Sequence, residues 1–222
     1  ILRRDCERIG YKPGFTIYDS EDSVRVIKDC MEKLGINVKE FIPKAVAEVI
    51  SRAKDALLTP SAFLEANKGD SRLVTIAKIY RLYQSALIDA NAFDFDDLIM
   101  QTVRLLQESD EARSFYNEKF SHILVDEYQD TNHAQYMLVS LLARPRDNLC
   151  VVGDDDQSIY GFRGATIDNI LNFEKEFENA RVIKLEQNYR STSNILDAAN
   201  AVIENNRNRK GKTLWTDRKG GD

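Results

Sequence analysis

The chain has 222 residues, of which 43% are hydrophobic and 30% charged, and its formal net charge is −5. That balance supports one large folded domain or two smaller ones and excludes a wholly disordered or fibrous chain. No apolar run approaches the roughly 18–20 residues that cross a bilayer, and no signal pattern opens the chain.

The charge is uneven. Residues 1–95 hold 15 basic and 14 acidic side chains, whereas 96–222 hold 16 and 22. The last stretch turns basic again, with Arg207, Arg209, Lys210, Lys212, Arg218 and Lys219 against Asp217 and Asp222. Acidic bulk leaves nucleic-acid binding to a local basic groove. Cys6, Cys30 and Cys150 are widely spaced, and His122 and His133 are the only histidines. A disulfide framework or a zinc centre is therefore not expected, a reducing compartment fits, and a Mg²⁺ site built from carboxylates stays open. The chain opens on Ile1 and closes on Gly-Gly-Asp, so a segment of a longer protein is expected.

Up to about residue 120 the pattern is helical. Val24, Ile27, Met31 and Leu34 predict a helix over 22–34, capped by Asp19 or Ser20 and ended by Gly35. Val46, Val49, Ile50, Ala53 and Leu57 predict another over 43–57, with Pro43 at its start. Leu58-Thr-Pro-Ser61 reads as a break before Phe63 and Leu64. Longer helices follow at about 71–90 and from Phe95 to Leu106, with the acidic cluster Asp94-Phe-Asp-Asp97 between them.

The texture changes at Phe120. Three short apolar runs appear, each ending in a polar loop: His122–Val125 before Asp126-Glu127, Leu149–Val152 before Gly153-Asp-Asp-Asp156, and Arg181–Leu185 before Glu186-Gln187. Helical patterns at about 132–143 and 167–177 separate them. Buried runs alternating with helices predict a parallel α/β sheet, whose ligands bind at the carboxyl ends of the strands. The three loops are expected to converge there.

Each loop carries usable chemistry beside a plainer reading. Asp126 can hold Mg²⁺ through its water shell while Glu127 polarises an attacking water; alternatively the pair is a solvated acidic turn. In the second loop Gln157 can donate to a phosphate oxygen. Tyr160 and Phe162 offer ring faces for stacking on bases, and Arg163 offers a phosphate contact; core packing and a surface salt bridge are the plain alternatives. In the third loop Arg190 can reach a γ-phosphate and Tyr189 can stack on a flat base; otherwise Ser191 or Thr192 caps a helix and Arg190 pairs with a carboxylate.

These residues, taken together, resemble the UvrD/PcrA/Rep group of superfamily 1 DNA helicases. Asp126-Glu-Tyr-Gln-Asp-Thr131 resembles helicase motif II, the Walker B element. Gly153-Asp-Asp-Asp-Gln-Ser-Ile-Tyr-Gly-Phe-Arg-Gly-Ala165 resembles motif III, and Gln187-Asn-Tyr-Arg-Ser191 resembles motif IV. Phe15–Asp19, Ser51–Lys54 and Asp94–Leu98 fit the family's text as well. The likeness runs through essentially the whole chain in order.

The resemblance implies an ATP-dependent 3′-to-5′ DNA helicase acting in DNA repair or replication in the bacterial cytoplasm. Its cofactors would be ATP and Mg²⁺. Its partners would be single-stranded and duplex DNA and repair or replication proteins. Position by position, Asp126 would bind Mg²⁺, Glu127 would activate water, and Gln157 would sense the γ-phosphate. Tyr160, Phe162 and Arg163 would touch single-stranded DNA, Tyr189 would stack on adenine, and Arg190 would act as the arginine finger. The family usually has Trp where this chain has Phe162, which keeps a stacking face and loses the indole N–H.

The implied fold class is α/β. A helical insertion domain (1–120) precedes part of a RecA-like P-loop NTPase sheet (121–187) and the start of a second RecA-like domain (188–222). No G-x-x-x-x-G-K-[ST] occurs; Gly211-Lys-Thr213 lacks the preceding glycine and strand. The segment alone is therefore expected to be inactive, with an exposed apolar sheet edge through which two copies can pair. Two other readings are a motor subunit of a helicase–nuclease and a non-catalytic module that binds DNA or a partner.

Overall fold

A computed structural model describes residues 1–161, 164–207 and 209–220. The chain forms two compact units, Ile1–Leu124 with Asn132–Cys150, and Val125–Thr131 with Val151–Asp222.

In the first unit α1 (Leu2–Asp5) runs into a tight 3₁₀ turn at Cys6–Ile9 that Gly10 ends at φ +88°. Helix α2 (Ser20–Lys33) begins where the Asp19 carboxylate accepts the N–H groups of Glu21 and Asp22. Helix α3 (Pro43–Asp55) opens on Pro43, whose missing N–H costs nothing in a first turn. Thr59 caps the short α4 (Pro60–Ala66), and Asp70 caps α5 (Ser71–Asp89). Ile27, Met31, Val46, Ile50, Phe63, Ile76 and Leu87 bury one face of each helix in a shared core. Tyr80 is wholly buried there and its hydroxyl donates to the Leu58 carbonyl at 3.0 Å.

A second core holds Leu2, Cys6, Ile9, Tyr11, Phe15, Phe93, Leu105 and Ala112. It packs around α6 (Phe95–Glu108) and α7 (Asp110–Lys119). Strands β1 (Thr16–Ile17) and β2 (Ala92–Phe93) pair in parallel, Thr16 with Ala92 and Ile17 with Phe93. Rings close around that pair: Tyr11 and Phe15 lie 4.1 and 4.6 Å, centroid to centroid, from Phe93.

The acidic cluster before α6 is structural. Asp94 caps the helix by accepting the Asp97 N–H at 2.8 Å. Lys54 Nζ, fully buried, donates to Asp94 Oδ2 at 2.6 Å and lies 3.0 Å from Asp97 Oδ1. Tyr83 donates its hydroxyl to Asp94 at 2.8 Å, and Gln84 and Gln101 donate amide hydrogens to Asp97. Buried charges persist only when paired and hydrogen-bonded, as these are. Helix α8 (His133–Ala143) starts on a reciprocal box in which Asn132 and Gln135 satisfy each other's backbone N–H, and it packs on α6.

The boundary between the units falls within two short strands, β3 (Ile123–Val125) and β4 (Leu149–Val151), which pair. The Ile123 N–H donates to the Asn148 carbonyl and the Val152 N–H to that of Val125. Both partners' numbers rise together, as in a parallel ladder. The protein is thus a mixed α/β chain, in which the described residues form two short two-stranded sheets among dominant helices.

Two expectations fail in the second unit. The helix over 167–177 is two short ones, α9 (Asp168–Leu171) and α10 (Phe173–Glu176), parted at Asn172. The run Arg181–Leu185 is no strand: among the described residues it finds no ladder partner, and Ile183 and Leu185 stay exposed. Only an isolated bridge between Gln187 and Trp215 follows it, ahead of α11 (Ser193–Ile203).

Candidate active site

The site residues lie in the second unit, where β3 and β4 end. Asp126 and Glu127 are exposed. Asp126 Oδ1 accepts the Glu127 N–H at 2.9 Å. Glu127 sits at φ +49°, ψ +42°, a left-handed conformation that a side chain seldom adopts and that costs about 1–2 kcal/mol. The strand must turn sharply here to present the two carboxylates in different directions.

Gln129, only 1% exposed, holds that turn in place. Its amide nitrogen donates to Glu127 Oε2 at 2.8 Å, and its amide oxygen accepts the Asp154 N–H at 2.9 Å. Gln157 then donates to Asp154 Oδ2 at 2.7 Å, and the Ser158 hydroxyl donates to the Gln129 carbonyl at 3.3 Å. The first and second loops are therefore joined in one path, Glu127–Gln129–Asp154–Gln157. Gly153 makes the approach possible. A Cβ there would lie 2.6 Å from Gln129 Oε1, 2.8 Å from Ile170 Cδ1 and 3.2 Å from the Tyr128 nitrogen. Behind the turn, buried Tyr128 meets Phe173 edge to face, and the Thr131 hydroxyl donates to the Tyr128 carbonyl at 2.7 Å.

The carboxylates of Asp154, Asp155 and Asp156 lie close enough to share a cation, yet protein cations and N–H groups already occupy them. Arg209 grips Asp156 with two hydrogen bonds, at 2.9 and 2.7 Å. Lys212 pairs with Asp154, and the Lys210 N–H donates to Asp155 at 2.6 Å. Burial pushes the Asp154 carboxyl up, but hydrogen bonds from Lys212 and Gln157 outweigh it and hold the group below the usual carboxylate range. Asp126 could hold Mg²⁺: it is a hard oxygen donor at a strand end, exposed, with one oxygen used by its neighbour's N–H.

Tyr160 is partly exposed beyond the same loop. Phe162 and Arg163 lie outside the described residues. In the third loop Asn188 Oδ1 accepts the N–H groups of Arg190 and Ser191, making a tight turn. Tyr189 is 73% exposed and donates its hydroxyl to Gln187 at 2.8 Å. Thr192 occupies the cap of α11 without a side-chain hydrogen bond. Arg218 donates to the Arg190 carbonyl at 3.1 Å. Among the described residues, no hydrogen bond or ion pair joins Tyr189 or Arg190 to Asp126, Glu127 or Gln157. Among the described residues the first two loops are hydrogen-bonded directly, whereas the third meets the segment after α11, in which the Thr213 N–H donates to Glu186 and Lys212 pairs with Asp154 of the second loop. The parts played by Gln129, Asp154 and residues 209–212 escape the sequence reading, which shows them only as motif text, an acidic loop and a basic stretch; the position of Gln129 beside two carboxylates was the one hint.

The first two loops hold a strand-end carboxylate pair hydrogen-bonded to an adjacent Asp-Gln loop, and the sequence shows the family: the chain belongs to the UvrD/REP helicase family. The family model described as the UvrD/REP helicase N-terminal domain matches residues 1–178, and the UvrD-like helicase C-terminal domain matches 183–222. The chain is similar to proteins named ATP-dependent DNA helicase PcrA. It is 53% identical to that of Staphylococcus epidermidis over all of its length, and 52% identical to that of Bacillus subtilis over 98%. A Staphylococcus aureus relative is 54% identical over 97% of the chain. The chain spans about 30% of the length of these relatives. Among the described residues no helix is long and apolar enough to cross a membrane.

Proposed function

We propose that this chain is part of the motor of an ATP-dependent 3′-to-5′ DNA helicase that moves along single-stranded DNA and unwinds duplexes in bacterial DNA repair or replication. Residues 1–120 form the helical insertion, 121–187 part of the first RecA-like domain, and 188–222 the beginning of the second. The hydrogen-bonded path from Glu127 through Gln129 and Asp154 to Gln157 carries this reading. It ties the loop that would hold the reacting phosphate to the loop that would touch DNA.

Asp126 would hold Mg²⁺, which when bound would draw negative charge from the phosphates. Glu127, turned outward by its left-handed backbone, takes a proton from the attacking water. Gln157 exchanges its bond to Asp154 for one to the γ-phosphate, and the exchange shifts the loop bearing Tyr160, Phe162 and Arg163 against DNA bases. Tyr189 stacks on adenine, and Arg190 stabilises charge on the transferred phosphate. Residues 1–222 alone do not hydrolyse ATP, because no glycine-rich phosphate loop occurs in them.

The test is ATP hydrolysis by the full-length protein with single-stranded DNA and Mg²⁺, with and without Glu127→Gln. Loss of turnover by at least about 100-fold with nucleotide binding retained is expected. Unchanged turnover in that variant, or hydrolysis by residues 1–222 alone, sinks the reading. Binding of Mg²⁺–ADP by the full-length protein and not by residues 1–222 is the companion expectation.

A further inference from the structure

We propose that Arg209 and Lys212 are positioning residues that clamp the 154–158 loop and thereby set where Gln157 and Tyr160 stand. The inference rests on the motor reading above for what that loop does.

The geometry is specific. Arg209 meets Asp156 through a two-point fork, with side-chain exposures of 14% and 8%. Forked, partly buried pairs of this kind are worth more than surface ion pairs and fix direction as well as distance. Lys212 takes one oxygen of Asp154, and Gln157 takes the other. Lys212 therefore acts on the carboxylate that holds the Gln157 amide. Arg209 also donates to the Lys212 carbonyl at 3.0 Å, which keeps the two cations in register. The Lys210 N–H binds Asp155, and its ammonium binds Glu174 at 2.6 Å. Three successive carboxylates of one loop are thus matched by one segment more than fifty residues away in sequence.

The two partners also belong to different parts of the family pattern. Asp154–Asp156 lie within the stretch matched by the N-terminal domain model, and Arg209–Lys212 within that matched by the C-terminal one. A displacement of the later segment therefore pulls on the Asp-Gln loop without passing through the backbone between them. Of the basic residues near the end of the chain, Arg209, Lys210 and Lys212 are thus spent on carboxylates of their own chain.

Hydrogen–deuterium exchange on residues 1–222 tests the clamp. In Arg209→Ala/Lys212→Ala the amides of 153–158 exchange about tenfold faster or more, while those of α2–α5 keep their protection. In Arg209→Lys the rate stays nearer the parent's. Raising NaCl from about 0.05 to about 1 M loosens the same peptide in the unaltered chain, which needs no variant to fold. Unchanged exchange at 153–158 in both experiments overturns the clamp.

The double variant in the full-length protein tests the positioning role. DNA-stimulated kcat for ATP falls about tenfold, and KM moves within about twofold. Faster exchange with kcat unaltered reduces the contact to a structural one and overturns the proposal. Failure of the motor reading shows separately, as Glu127→Gln retaining hydrolysis.

Discussion

Lys54 and Asp97 face each other at 3.0 Å with neither side chain reaching water. They come from α3 and α6, and Asp94 and Tyr83 complete the group. Replacing Lys54 by Met removes the only ammonium in this network and leaves two buried carboxylates uncompensated. A loss of about 3–5 kcal/mol is expected, read from urea or thermal unfolding. Adding Asp97→Asn to Lys54→Met recovers part of that loss, because one uncompensated charge goes with it. If Lys54→Met unfolds at the parent's midpoint, the network contributes nothing.

Gln129 carries two bonds at once, to Glu127 and to the Asp154 N–H. Gln129→Leu keeps the volume and removes both. In the full-length protein kcat for ATP is expected to fall about 10–100-fold with KM little changed, since the group orients a neighbour and does not hold nucleotide. Steady-state kinetics decide the matter; a rise in KM at constant kcat contradicts it.

Gly153 has no space for a methyl group. Gly153→Ala pushes against Gln129 Oε1 and Ile170 Cδ1, and a destabilisation of about 1–3 kcal/mol is expected from the forced shift. Gln129 is the more yielding neighbour, so the variant also copies the kinetic defect of Gln129→Leu. A stable variant with parent kinetics would falsify the close-approach argument.

Asp55 gives a pH signature. Burial, with the negative charge of Asp96 adding to it, raises its carboxyl from 3.8 to about 6. The folded chain therefore keeps this proton after the unfolded chain has lost it. Stability from this group is complete below about pH 4, declines as pH rises through the window to about 6, and stays lower above it. Asp55→Asn can still accept the bond from Asn132. It should exceed the parent's stability at pH 7 by about 1–2 kcal/mol, after allowance for partial exposure, and the gap should close towards pH 4. Unfolding midpoints at the two pH values check both the sign and the window.

The helices were legible because their faces repeat cleanly. Ile27 and Met31, Val46 and Ile50, and Ile76 and Tyr80 stand where three-and-four spacing puts them, and Asp19 and Thr59 cap as their chemistry suggests. Strands β3 and β4 were legible as apolar runs before acidic loops. The β1–β2 pair was not, since two residues are too few for a period. Arg181–Leu185 looked like a strand, but a strand needs a partner as well as a pattern, and composition shows only the latter. At the site, the carboxylate pair and Gln157 could be read from motif and residue type. Gln129, Arg209 and Lys212 could not, because their meaning lies in contacts across 25 to 58 positions of sequence. The acidic Asp94–Asp97 cluster was visible as a cluster, but its buried partner was not, because Lys54 sits forty residues earlier.

The two-residue pairing of β1 with β2 has a topological consequence. Thr16 donates its N–H to the Asn91 carbonyl, and Tyr18 donates to that of Phe93, so residues 18–91 leave at one end of the parallel pair and return at the other, across strands about 5 Å apart. Such an excursion must cross back over the pair, and on the way Lys54, Tyr83 and Gln84 latch onto Asp94 and Asp97. Its helices are therefore keyed to the start of α6, and exchanging them for another body would leave two buried carboxylates unmatched. A foreign domain grafted between Tyr18 and Asn91 should therefore destabilise the start of α6 unless it brings a cation to Asp94 and Asp97.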